Sequence, residues 1–215
     1  MLHVGNDIVD LCTKGTIGRS KDLRFVDRIL TDIEKKHVLG CQKSPDTLLW
    51  AFWAAKETAY KAMNKSFPDI SSAPRRYAVT LDNPSLKSRM FGCVKTPAGV
   101  VAISIFIQKT HVHCIGTTGN FTALSRVIFG AEKMDTKAQT QLCEQQSMQV
   151  RRFAKQKIAH CLNLDTCNMD ILRSGHKKDP GPPVIRFNNQ ESFMDISLSH
   201  HGRYVAFAVQ DVKKE

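Results

Sequence analysis

The sequence predicts an α+β protein in two halves of the same make-up, each a helix with strands. Three observations lead there. One segment of helical period lies in each half, Leu49 to Met63 and Met148 to Leu162, and short β-rich runs follow each of them. Gly116-Thr-Thr-Gly119-Asn120 gives the best internal boundary. At 215 residues and 24.1 kDa the chain fits one large domain or two small ones fused.

In chain order, His3 to Val9 reads as a strand and a helix follows over about Leu23 to Leu39. In the Leu49–Met63 helix, Leu49, Phe52, Trp53, Tyr60 and Met63 supply the apolar positions. Strands are expected at Arg76 to Leu81, Met90 to Val94, Val100 to Ile107 and His111 to Thr117, with a turn at Thr96-Pro-Ala-Gly99. The second half opens with a polar, helix-prone region, Thr122 to Gln146. In the helix that follows, Val150, Phe153, Ala154, Ile158 and Cys161 make the apolar face. A strand around Ile171, a loop at 176–183, and strands at Val184 to Phe187, Met194 to Leu198 and Tyr204 to Val209 complete the chain.

Composition narrows the function classes. A hydrophobic content of 42% is enough for a core, and 24% charged residues with a mean hydropathy of -0.27 describe a soluble globular protein. No apolar run approaches the ~18 residues of a membrane span. The start Met-Leu-His-Val-Gly lacks the basic and apolar regions of a signal peptide. Seven cysteines, odd in number and without a Cys-x-x-Cys pair, point to reduced thiols in a cytoplasm and away from a zinc site. The net charge of +11 calls for an acidic partner. The basic residues are spread along the chain, with no basic block, RNP-like strand, zinc finger or helix-turn-helix, so nucleic acid is not the expected partner.

The chemistry concentrates at two places. Val4-Gly-Asn-Asp7-Ile-Val-Asp10 puts a carboxylate on a strand, and Glu57 and Lys61 share a face of the Leu49–Met63 helix. Magnesium is usually held by one or two carboxylates together with substrate phosphates, and a lysine beside it adds a point charge for phosphate. Spacing alone also describes an ordinary surface Glu–Lys pair.

The motifs resemble those of the 4′-phosphopantetheinyl transferases. Gly5-Asn6-Asp7, then after a long spacer Trp53-Ala-Ala-Lys56-Glu57-Thr-Ala-Tyr60-Lys61, is similar to the family's Gly-x-Asp and (Trp/Phe)-x-x-Lys-Glu-x-x-x-Lys. Asp195-Ile-Ser-Leu-Ser199-His200-His201-Gly202-Arg203-Tyr204 resembles its Ser-His-x-Gly-x-(Tyr/Trp) strand. Arg24-Phe25, with Arg28-Ile-Leu-Thr31-x-x-Glu34, is similar to the first helix of the holo-acyl-carrier-protein synthases.

The resemblance implies the architecture in more detail. In the two-lobed members the Ser-His strand precedes the Gly-x-Asp strand, whereas here it ends the chain. Joining Glu215 to Met1 would restore their order. The implied fold is a pseudo-dimer of two similar lobes in permuted order, each a helix packed on a small antiparallel sheet. Residues 1–118 would form the metal-site lobe and 119–215 the coenzyme lobe, in one monomeric chain. A subunit of the trimeric synthase type remains open, although 215 residues is considerably longer than such a subunit.

The implied reaction moves the phosphopantetheine arm of coenzyme A onto a serine of an acyl or peptidyl carrier protein, as in lipid, polyketide or peptide synthesis, and releases adenosine 3′,5′-bisphosphate. Asp7 and Glu57 would hold Mg²⁺, and Lys61 would contact the same phosphates. Glu57, directly or through a metal-bound water, is the candidate base. Ser199 and His200 would bind nucleotide phosphates, with Lys56, Arg152, Lys177 and Lys178 as further cofactor contacts and Arg173 as another candidate cation. Lys56 lies roughly 100° around the helix from Glu57, so the alternative is that its stem covers apolar surface. Arg24 and Arg28 would meet an acidic carrier protein. Asp10 reads as a helix-start carboxylate outside the site. Asn6 stands where the family has an apolar residue or Thr, and Val9 where two-lobed members carry another acid. Pro182 stands where they have a coenzyme-binding Lys, so either Lys177 or Lys178 replaces it or the coenzyme is held more weakly. The contrasting function is a transferase fold without catalysis, serving as a binding module for an acidic partner. Retention of Asp7, Glu57 and Lys61 together argues against it.

Overall fold

A computed structural model of the chain describes residues 2–83, 85–134, 142–176 and 179–211. The first sheet contains β1 (Val4–Asp10), β2 (Ala78–Leu81), β3 (Arg89–Thr96), β4 (Gly99–Ile107) and β5 (His111–Thr117), in the order β1-β5-β4-β3-β2. The second contains β6 (Ile128–Lys133), β7 (Met169–His176), β8 (Asp179–Phe187), β9 (Gln190–His201) and β10 (Tyr204–Asp211), in the order β6-β10-β9-β8-β7. Every pairing is antiparallel. Each sheet sets its first strand at one edge against its last, and the others follow in reverse order. The main helix, α3 (Pro45–Met63) or α5 (Leu142–Leu162), lies between first and second strands in sequence. The two lobes therefore share one topology, and the protein is the α+β pseudo-dimer that the sequence predicts.

Several elements differ from expectation for local reasons. The helix expected over Leu23 to Leu39 is two, α1 (Leu23–Ile29) and α2 (Asp32–Gly40). Thr31 starts α2 with a capping box: its hydroxyl accepts from Glu34 N, and Glu34 Oε2 accepts from Thr31 N at 2.8 Å. α3 begins earlier than Leu49, with Pro45 in its first turn, where a missing N–H costs nothing. Within the helix-prone region Thr122 to Gln146 the described residues hold a short helix, α4 (Phe121–Ser125), and at its end the first residues of α5. The β-forming run Val127-Ile128-Phe129 then leads into β6, whose exposure alternates as on a half-covered strand. β8 takes up part of the expected loop 176–183. Lys177 and Lys178 lie outside the described residues.

α3 packs on β1 and β5 at very close range. A Cβ on Gly5 would lie 2.0 Å from Thr58 O, and one on Gly116, directly across from Gly5, would lie 2.9 Å from Thr58 Cγ2. The first residue of Gly-x-Asp thus lets the helix approach, and Asp7, two residues on, points from the same face of the strand towards it.

The lobes meet along the outer edge of β1, whose unpaired main-chain groups would otherwise be an open strand edge. Side chains of β9 occupy it. Asp195 Oδ2 accepts from Val4 N (2.6 Å), Ser197 Oγ from Asn6 N (3.0 Å) and His201 Nδ1 from Asp10 N (3.0 Å). Behind that edge, Ile8 packs with Tyr204 and Ala206, His111 stacks on Tyr204 at 4.4 Å, and Phe106 on Phe129 at 4.8 Å.

Asp10, passed over as a helix start, is fully buried in this interface. Arg203 grips it through Nε and Nη2, each at 2.8 Å, and the N–H groups of Arg203 and Cys12 donate as well. Gly202 sits at φ +55 in the β9–β10 turn, and a Cβ there would lie 2.6 Å from Asp10 Oδ2. Burial alone would raise the Asp10 pKa, but the Arg203 and main-chain bonds outweigh it and bring it to about 2. A depressed carboxylate stabilises the fold above its ordinary 3.8, and that contribution is lost as pH falls through about 2. Arg203→Met should accordingly lower the urea midpoint near neutral pH, with the gap to wild type narrowing between pH 3.8 and 2. A gap independent of pH would contradict the clamp.

Candidate active site

Asp7, Glu57 and Lys61 come together where α3 crosses β1. Lys61 Nζ lies 2.7 Å from Asp7 Oδ1 and donates to Asn6 O at 3.1 Å. The i,i+4 pair of the sequence is therefore not closed: Lys61 turns to the strand, and the half-buried Glu57 carboxylate has no hydrogen bond or ion pair among the described residues. Burial first and then the Asp7 charge push the Glu57 pKa up to about 7, against the opposing pull of Lys61. Tyr77 borders the same space: burial, Tyr60 and the Glu57 charge together hold its phenol at about 12.

His200 is exposed at the end of β9, within electrostatic reach of Lys61, Arg173 and Asp7. Burial of its ring, then the Lys61 and Arg173 charges, lower its pKa, so it is neutral at pH 7. Arg173 is exposed on β7, and Arg152 on α5.

Two expected contacts are corrected. Lys56 is only 1% exposed and faces the core, not the site. Its ammonium pairs with Glu34 Oε2 at 2.7 Å and donates to Pro74 O (3.1 Å) and Tyr77 O (2.5 Å). A side chain adjacent to Glu57 points about 100° away around a helix, and here that direction leads inward. Ser199 is buried as well, and its hydroxyl donates to Asn6 Oδ1 at 2.6 Å. It joins the lobes instead of facing a nucleotide. Asn6, the family's polar exception, is the reason.

Residues 3–99 match the family model of the 4′-phosphopantetheinyl transferase superfamily. The match covers most of the first lobe, which is similar to that superfamily. A comparison with curated proteins gives no significant match. The matched span contains Asp7, Glu57 and Lys61, as well as α1 with Arg24 and Arg28. Phosphopantetheine transfer is the chemistry by which that superfamily is described.

The donor set suits a hard divalent ion. The Asp7 charge acts on Glu57, which has no hydrogen-bond donor among the described residues, and a cation would relieve the repulsion between the two carboxylates. No cluster of three His, Cys, Asp or Glu occurs among the described residues. Two carboxylates plus substrate phosphates is a common magnesium arrangement. α1 lies against the N-terminal part of the site helix: Phe25 stacks with Trp53, one turn before Glu57, at 6.5 Å. Arg24 and Arg28 are exposed on α1, and the Arg28 guanidinium stands 5.6 Å from the Phe25 ring. Among the described residues no helix is long and apolar enough to cross a membrane. Asp10 and Arg203, which join the lobes, carried no local signal beyond their charge.

Proposed function

We propose that the protein transfers the 4′-phosphopantetheine arm of coenzyme A to a serine of an acidic acyl or peptidyl carrier protein. The observation that carries this reading is the meeting of Asp7, Lys61 and the unpartnered Glu57 at one strand–helix crossing. Residues 1–118 act as the catalytic lobe and 119–215 as the coenzyme lobe of a monomer.

The serine oxygen attacks the β-phosphorus of coenzyme A. A new P–O bond forms, the bond from that phosphorus to the bridging oxygen breaks, and adenosine 3′,5′-bisphosphate leaves. Glu57 takes the serine proton directly or through one water. A carboxylate held at about 7 suits that work, since a base is most effective with its pKa near the working pH. Asp7 and Glu57 would hold magnesium, which when bound neutralises pyrophosphate charge. Lys61, anchored by Asp7 and Asn6 O, offers its remaining N–H to the same phosphates. His200, neutral, donates a hydrogen bond to the nucleotide end, and Arg173 and Arg152 add charge.

Adenosine 3′,5′-bisphosphate release should depend on coenzyme A, an acidic apo carrier protein and Mg²⁺ or Mn²⁺, and stop with EDTA. Full release in metal-free buffer would contradict the Asp7–Glu57 site. The carrier KM should rise markedly as salt shortens the screening length from ~10 Å at 0.1 M to ~3 Å at 1 M. Reversing Arg24 and Arg28 to Glu should raise it at low salt. An unchanged KM would remove α1 as the docking surface.

A further inference from the structure

Lys65 makes a set of contacts that the proposed chemistry does not use. It sits in the turn that closes α3, with its side chain 6% exposed. Its ammonium donates to Val4 O (2.8 Å), Asp195 Oδ2 (2.6 Å) and Ile196 O (2.8 Å). Asp195 in turn accepts from Val4 N at 2.6 Å and meets His3 Nδ1 at 3.3 Å. One buried charge thus joins the end of the helix bearing Glu57, the strand bearing Asp7 and the strand bearing His200.

The spacing has a definite consequence. Lys61 binds the carbonyl of residue 6 and Lys65 that of residue 4. Four residues of helix advance about 6 Å, and two residues of strand about 6.8 Å. The two lysines therefore engage successive outward carbonyls of β1 in step, and the same ladder places Glu57 level with residue 8. Gly5 and Gly116 lie close under Thr58, whose hydroxyl donates to Cys114 O at 3.2 Å, a neutral bond to β5. On β1 itself the register is held by charged hydrogen bonds at fixed carbonyls, from Lys61 within the site and from Lys65 beyond it.

We infer that Lys65, with Asp195, is a positioning residue that sets the register of α3 on β1 and so the separation of the Asp7 and Glu57 carboxylates. The inference rests on the proposed role of those two carboxylates as metal ligands. Its test is Mn²⁺ affinity, read by electron paramagnetic resonance on the full chain without substrate. Lys65→Met and Asp195→Asn should each weaken Mn²⁺ binding about ten- to a hundredfold, the range typical for partners that orient metal ligands. The double variant should be no worse than the weaker-binding single one, because both act through one pair. Ile171→Ala, which loosens the second lobe's core, should lower Tm and leave Mn²⁺ affinity unchanged. Wild type that bound no Mn²⁺ would instead defeat the metal-site reading. Wild-type binding matched by either folded single variant would overturn the positioning role alone. Asp195→Asn keeps its shape and can still accept from Val4 N, so it carries the test if Lys65→Met does not fold. Collapse of both would make the pair a folding element and overturn the inference.

Discussion

Glu57→Gln should reduce transfer by about 10²–10³-fold or more, because one amide replaces a metal ligand and the proposed base at constant volume. The fold should survive. The wild-type carboxylate is half-buried without a hydrogen bond and is pushed up to about 7, so its neutral form is already the less costly one there. In sign terms, a carboxyl with a raised pKa favours the fold below its ordinary 4.5 and loses that contribution as pH rises through about 7. Glu57→Gln should therefore be at least as stable as wild type above pH 7 while being nearly inactive. Turnover near wild type at saturating magnesium would remove Glu57 from the mechanism.

The second large effect is on stability. Glu34→Gln should destabilise the protein by about 3–5 kcal/mol, the usual result of removing one member of a buried ion pair. Both side chains are 1% exposed, and the loss leaves the Lys56 ammonium in the core facing two carbonyls and no counter-charge. Glu34 Oε1 also accepts from Val79 N at 2.7 Å, so the residue ties α2 to β2 as well as to α3. Denaturant unfolding measures the change. A loss under about 1 kcal/mol, the range of exposed pairs, would mean that Lys56 reaches solvent and the coenzyme after all. The family resemblance implies Lys56 at the coenzyme, and this variant separates the two roles.

What was legible in the sequence was what local spacing encodes. Gly5-x-Asp7 and Glu57-x-x-x-Lys61 each place two groups on one face of one element, and the family resemblance implied that they converge. The pseudo-dimer was likewise implied by the permuted order of the family's motifs, with two halves of the same make-up in agreement. The misreadings have partners far away along the chain. Ser199 looked like a phosphate ligand because its bond to Asn6 spans 193 residues, as does the Asp10–Arg203 clamp. Lys56 finds its partner on α2, a helix whose own start at Thr31-x-x-Glu34 was visible but was read through as one long helix. The polar Asn6, where an apolar residue or Thr was expected, was the one sequence sign that the strand edge had a different occupant. β6 was missed because the polar surroundings of Val127-Ile128-Phe129 resemble a helix more than a strand.

The most direct test of the account is the intact mass of an acidic apo carrier protein after incubation with the wild-type chain, coenzyme A and magnesium. The account predicts a gain of one phosphopantetheine group, located on a serine, that disappears with EDTA and with Glu57→Gln. A carrier protein that stays unmodified while binding the chain would contradict it, and would leave the fold as a docking module without chemistry.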